Sequence, residues 1–172
     1  MTVSDLAIVI LAAGKGTRMK SSLHKVLHPL GGRPMLHHLM DTLVPMKPSK
    51  KVIVVGAGKE QVEASVGNQA DIVVQEPQLG TGHAVQVTKA QLSDFNGDVL
   101  ILYGDVPLIS EETMQKMIDI RSDQNAAVVV LGFTPVDAKS YGRLKVSDSG
   151  NLDAIIEYKD ASSEERAIKL CN

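Results

Sequence analysis

The sequence predicts an α/β fold: a mostly parallel sheet with helices on both faces, followed by a β-hairpin part. Three observations carry that expectation. Short, largely apolar runs recur at 6–11, 51–55, 72–75, 98–103 and 126–131, and runs of this length without polar alternation suit strands buried on both faces. Segments with helical spacing or helix caps separate them, which is the pattern of strand–helix–strand units. After Pro135 the pattern changes to two strand-like runs, 143–146 and 152–157, parted by the hairpin turn Ser147-Asp-Ser-Gly150. A parallel sheet of this kind binds ligands at the carboxyl ends of its strands.

The elements follow in order. The run 6–11 is a buried strand, and residues 12–32 hold turn formers without periodicity, so they read as a long loop over the strand end. Pro34 suits the first position of a helix. Met35, Leu36, Leu39, Met40 and Leu43 then recur at helical spacing, and Pro45 and Pro48 stop the helix. The run 51–55 is a second strand, closed by Gly56-Ala-Gly58; 59–66 is a short helix and 72–75 a third strand. Residues 77–82 form a loop and 83–92 a helix. The fourth strand, 98–103, runs directly into Gly104 and Asp105. Ser110 is placed to cap a helix reaching about residue 123, with Glu111 and Glu112 facing its positive end. A fifth strand follows at 126–131. Ser162-Ser-Glu-Glu165 reads as a capping box that opens a last helix.

Composition narrows the function. A chain of 172 residues accommodates one real core. A net charge of −2, with 3% aromatic residues and no Trp, argues against nucleic acid, which needs a basic face or a stacking platform. The single cysteine, Cys171, excludes an internal disulfide and fits a reducing cytoplasm. Met1-Thr-Val-Ser-Asp5 lacks the basic start and apolar stretch of a signal peptide, and no apolar run approaches the ~18 residues that span a bilayer. A cytoplasmic protein without a membrane partner is expected. The five histidines show no helical i, i+4 pair with a glutamate, so no zinc site is expected.

The chemistry concentrates in Leu11-Ala-Ala-Gly-Lys-Gly-Thr-Arg18-Met19. A loop with Gly14 and Gly16 leaving a strand presents backbone N–H groups, and Arg18 and Lys25 add positive charge just downstream, a combination that suits a polyphosphate. The dinucleotide fingerprint fails at Met19, where Gly or Ala is needed. The P-loop fails because neither Gly14-Lys15 nor Gly58-Lys59 is followed by Ser or Thr.

With Lys25-Val-Leu-His28 added, this loop resembles the signature of the sugar-phosphate nucleotidyltransferases. The likeness is strongest to the bacterial N-acetylglucosamine-1-phosphate uridylyltransferases that form the N-terminal part of a bifunctional enzyme. Four further blocks agree in order: Gln75-Glu-Pro-Gln-Leu-Gly-Thr-Gly-His-Ala84, Tyr103-Gly-Asp-Val-Pro107, Tyr141-Gly-Arg143, and Glu157-Tyr-Lys-Asp160 with Asn172 beyond it. The resemblance covers essentially the whole chain. It implies a Rossmann-like nucleotidyltransferase fold, with 1–134 as the nucleotide-binding core and 135–172 as the start of a sugar-binding part. It implies Mg²⁺-dependent uridylyl transfer from UTP to N-acetylglucosamine 1-phosphate, giving UDP-N-acetylglucosamine for cell-wall precursors and releasing pyrophosphate. The family's second metal ligand, an Asn, would lie beyond residue 172, so the domain is expected to be incomplete at its C-terminal side. Full-length relatives would trimerise through an acetyltransferase half whose hexapeptide repeats are not in this sequence, and the chain itself is expected to be monomeric. One departure is His24, where the family usually has Pro; the lysine after it is retained, and loop rigidity is expected to differ.

Individual roles follow from the resemblance and agree with residue chemistry. Backbone at Leu11, Ala12, Ala13 and Gly14 would hold the nucleotide, and Arg18 and Lys25 would face its phosphates. Gln75 with Gly80 and Thr81 would read the uracil, since an amide both donates and accepts; the plainer alternative is a glutamine that satisfies its own loop. Tyr103 and Gly104 would complete the nucleotide side. Asp105 would hold the metal, because Mg²⁺ takes one or two carboxylates together with water and phosphate. Gly142, Glu157 and Asn172 would form the sugar side. No general base is needed, because a phosphate oxygen with a second pKa of about 6 is already ionised near neutrality. Cytidylyl or guanylyl transfer and a nucleotide-sugar binding module without turnover remain alternatives.

Overall fold

The computed structural model describes residues 5–14, 16 and 19–172. The apolar run at the start becomes β1 (Leu6–Ala12), in which every residue after the first is buried. It lies parallel between β4 (Lys50–Val55) and β6 (Asp98–Tyr103), with β5 (Asp71–Val74) beyond β4, so the sheet order is β5-β4-β1-β6. Leu11 pairs with Val54 on one side and Tyr103 on the other. The chain thus builds outward from β1 through β4 and β5, then returns to β1's other side. That reversal opens a crevice at the carboxyl ends of β1 and β6, the place where such sheets bind ligands.

Two periodicities make the core. Strand side chains alternate faces, and helical ones recur every three or four residues. Ile8, Ile10, Ala12, Ile53, Val55, Leu100 and Leu102 therefore share one face. They pack against Leu36, Leu39 and Met40 of α1 (Met35–Thr42), Val62 and Val66 of α2 (Lys59–Val66), and Met114 of α4 (Glu111–Asp123). On the opposite face Val9, Leu11, Ala13 and Val54 meet Ala84 of α3 (Thr81–Gln86), with Val85, Val87 and Leu92 half-buried around them. On β6 the alternation is plain: Asp98, Leu100 and Leu102 are buried while Val99, Ile101 and Tyr103 are exposed.

Several elements depart from the sequence reading. The stretch read as featureless loop contains a 3₁₀ turn, Lys25–Leu27, and a two-residue ladder of β2 (Pro29–Leu30) with β3 (Arg33–Pro34). Elements this short have no period to detect. Pro34 precedes the helix as its N-cap residue instead of opening it. The helix read through residue 92 ends at Gln86, because the ladder tightens there. Thr88 and Lys89 donate back only three residues, to Val85 and Gln86, and the Thr88 hydroxyl takes the Val85 carbonyl as well, at 2.7 Å. The strand expected at 126–131 does not form. No strand among the described residues pairs with it, and Val128 is 72% exposed. An apolar run becomes a strand only where a ladder partner exists.

The chain divides into two compact units, one ending at Ile118 and the other Asp119–Asn172, so residues 119–134 cluster with the hairpin rather than with the sheet. In the second unit β7 (Arg143–Val146) and β8 (Leu152–Ile156) pair antiparallel around Ser147-Asp-Ser-Gly150. The capping box is formed at α5 (Ser163–Arg166): the Ser162 hydroxyl accepts from the Glu165 N–H at 3.1 Å, and the Glu165 carboxylate accepts from the Ser162 N–H at 2.9 Å. No helix among the described residues is long and apolar enough to cross a membrane.

Candidate active site

The crevice at the reversal of strand order holds a cleft of about 340 Å³, within the range of small-molecule sites. Leu11, Ala12, Ala13 and Gly14 line it from the end of β1; Lys25 and Val26 from the 3₁₀ turn; Gln75, Gln78, Gly80, Thr81 and Ala84 from the segment after β5; and Tyr103 and Asp105 from the end of β6. Every residue expected on the nucleotide side therefore lines one cleft, with two exceptions. Gly104 is buried, its N–H donating to the Leu11 carbonyl at 3.0 Å. Arg18 lies outside the described residues.

Lys25 opens the 3₁₀ turn, whose next two residues, Val26 and Leu27, are buried and anchor it. Its ammonium donates to the Asp105 carboxylate. The structure thus joins two groups to which the resemblance gave separate tasks. Both side chains are about a third exposed, at 37% and 33%, and an ion pair this open to water is weak enough to exchange partners. Gly16 sits behind the lysine with φ +58°, and a Cβ there would fall 2.7 Å from that of Lys25. The loop glycine is required twice, by its backbone conformation and by the lysine stem against it.

Gln75 continues the sheet, its N–H donating to the Val55 carbonyl at 2.8 Å, and is buried. Its side-chain amide donates to the Gly80 carbonyl at 2.8 Å and lies 3.3 Å from His83 Nδ1. The loop-satisfying role is therefore present. With the amide nitrogen turned to the Gly80 carbonyl, the amide oxygen is the atom left for a ligand. Tyr103 ends β6 half-exposed at the cleft wall.

His24 precedes this lysine with both ring nitrogens buried and without a hydrogen-bond partner among the described residues. Burial holds its pKa below the ordinary imidazole value. Gln61 ties the segment down, accepting from the His24 N–H at 2.8 Å and donating to the Ser22 carbonyl at 2.9 Å.

In the second unit, Asn172 donates from its backbone to the Gly142 carbonyl at 3.3 Å. The pairing of Arg143 with Ile156 makes Gly142 and Glu157 the next residues along their strands, and Glu157 is exposed. Arg143 anchors this corner. Its guanidinium is buried and donates to the carbonyls of Ala138, Lys139, Tyr141 and Arg166, and it lies 5.5 Å from the Tyr158 ring.

Gln78, Val26 and Ala84 line the cleft without having been singled out from the sequence. Gln78 and Ala84 stand inside the Gln75-to-Ala84 block, where each looked like spacing between recognised residues.

The comparisons agree with this architecture. Residues 8–165 match the family described as MobA-like NTP transferase domain. Bifunctional protein GlmU of Novosphingobium aromaticivorans is 55% identical over 170 residues, covering 98% of this chain and 38% of the relative. Bifunctional protein GlmU of Rhizorhabdus wittichii is 56% identical over 174 residues, with coverage of 100% and 38%. The chain thus spans 38% of the length of these curated relatives. Among solved structures, UDP-glucose pyrophosphorylase complexed with UDP-glucose superposes with a TM-score of 0.76 at 15% identity, covering 97% of this chain and 73% of that one. A putative glucose-1-phosphate thymidylyltransferase from Bacillus anthracis gives 0.75 at 18% identity, covering 96% and 68%. The fold is that of the nucleotidyltransferases, and the chain belongs to the MobA-like NTP transferase domain family.

Proposed function

We propose that this chain carries the nucleotide site of a uridylyltransferase that joins UTP to N-acetylglucosamine 1-phosphate and releases pyrophosphate. The observation that carries the base assignment is the orientation of Gln75. Its amide nitrogen is turned to the Gly80 carbonyl, so its oxygen accepts. Uracil presents an N3–H donor at the middle of its pairing edge; cytosine presents an acceptor nitrogen at that position, and its donor is the exocyclic amine to one side, so the contrast applies to an oxygen aimed at position 3. An accepting glutamine therefore favours uracil. The sugar assignment rests on the similarity to the GlmU proteins and on the sequence blocks at Gly142, Glu157 and Asn172.

The chemistry requires little from the protein beyond position and charge. A sugar-phosphate oxygen attacks the α-phosphorus of UTP; the new P–O bond forms as the α–β bridge breaks, and pyrophosphate departs with the electrons. The loop at Leu11, Ala12, Ala13 and Gly14 holds the nucleotide against the end of β1. Lys25 turns from Asp105 to the phosphates, and Arg18 acts with it, the role that its sequence block implies. Asp105, the one carboxylate among the residues lining the cleft, fits a divalent cation that draws its other ligands from water and substrate phosphate. Mg²⁺ held there would neutralise charge on the triphosphate. Residues up to 134 then serve the nucleotide and those from 135 the sugar.

Thermal unfolding tests the base assignment directly. With Mg²⁺ present, saturating UTP is expected to raise the melting temperature more than CTP, ATP or GTP at equal concentration, since stabilisation grows with the logarithm of ligand concentration over Kd. Equal shifts for all four would refute it.

A further inference from the structure

We infer that Gln78 is a positioning residue that straps the base-reading loop to the nucleotide loop, and that Gly56 exists to leave room for the strap. The inference rests on the nucleotide-site reading above and goes beyond it. The Gln78 side-chain amide donates to the carbonyl of Ala13, 65 residues earlier in the chain. Ala13 lies one residue past β1, beyond the last rung of the sheet, so among the described residues its carbonyl has no ladder donor. Gln78 supplies that donor from across the crevice, and both residues line the cleft.

Gly56 is the first residue after β4, directly under this contact. A Cβ at that position would stand 2.7 Å from the Ala13 oxygen and would overlap the Gln78 amide nitrogen outright. Any larger residue must therefore displace the strap or shift the backbone it holds. The loop is fastened at two points: Gln75 closes it internally through Gly80, and Gln78 ties it externally to Ala13. The two ties together set the distance between the atoms that would face the base and the backbone that would hold the nucleotide.

The donor is what matters, so the test removes it at constant shape. Gln78→Glu keeps the side-chain length but sets a carboxylate oxygen against the carbonyl; Gln78→Met keeps length without polarity; Gly56→Ala fills the notch. Hydrogen–deuterium exchange of the ligand-free chain is expected to quicken in all three, both at 75–81 and at the end of β1. UTP affinity by calorimetry is expected to fall about tenfold or more, the size of one lost hydrogen bond with its carbonyl left unpaired. The UTP preference over CTP should narrow, while in the two Gln78 variants the melting temperature stays within a few degrees, because Gln78 is exposed and outside the core. Unchanged exchange at the end of β1 in Gln78→Glu, or nucleotide affinity within twofold of wild type, would overturn the inference. If wild type binds UTP no better than the other nucleotides, the base assignment fails. Exchange, and affinity for whichever nucleotide binds best, then decide the role of Gln78.

Discussion

Lys25 has Gly16 behind it and Asp105 in front. If its task is the triphosphate, Lys25→Ala should weaken UTP roughly ten- to a hundredfold, the range for a hydrogen bond to a charged group, and leave uridine binding unchanged. Gly16→Ala should reproduce that pattern, since its Cβ would press on the lysine stem and its φ of +58° is costly for alanine. Calorimetry with UTP and uridine in parallel reads both. His24 offers a second measurement at this scale. Its folded pKa is depressed, so between that value and the unfolded 6.5 the unfolded chain binds more protons. Stability is then fully present above pH 6.5 and falls as pH drops through that window, by at most about 1.4 kcal/mol per pH unit. Urea titrations from pH 7.5 to 5 should show this slope in wild type and a flatter one in His24→Phe. Lys25 and Gln75 were legible in the sequence because their blocks were distinctive. Gln78 was not, because its partner is a backbone carbonyl 65 residues away, and no pattern in a sequence records where a carbonyl lacks a donor.

At the scale of elements, strands flanked by helices were readable, and the hairpin turn and capping box formed where turn and cap chemistry placed them. The failure at 126–131 came from the same rule that succeeded at 98–103. Hydrophobicity measures what a segment would bury, while strand formation also needs a neighbour with free N–H and C=O groups. The 3₁₀ turn that carries Lys25 was invisible for another reason: three residues do not complete a period. Arg143 shows how an element is fixed by one side chain. Its guanidinium satisfies four carbonyls around the start of β7. Arg143→Met should cost about 2–4 kcal/mol by leaving them unpaired. Arg143→Lys should recover only part of that, since an ammonium has three donors and no planar fork. Denaturant midpoints for the two variants test both statements.

The whole molecule sorts residues that look alike on paper. Met114 and Val128 are both apolar and both were placed in regular elements. Met114 is fully buried in the sheet–helix core, whereas Val128 is 72% exposed. Met114→Ala should destabilise by about 2–5 kcal/mol, and Val128→Ser should change stability by no more than about 0.5 kcal/mol, both read from urea unfolding. The sheet order explains why the nucleotide side was more legible than the sugar side. The described residues proposed for the nucleotide side fall at the ends of β1, β5 and β6, in the loop that runs from β5 into α3, or in the turn that carries Lys25, where topology gathers them. The sugar-side residues hang on the register of a two-stranded hairpin and on one buried arginine, neither of which a linear motif specifies.

The Lys25–Asp105 pair balances charge within the crevice. A triphosphate arriving without a cation would draw the ammonium away and strand a bare carboxylate beside its own oxygens. On the roles proposed above, one arriving with a cation would hand each member of the pair a new partner in the same event, trading two open ion contacts for two others. The pair would then favour joint arrival of nucleotide and metal over arrival of either alone, with no moving lid required.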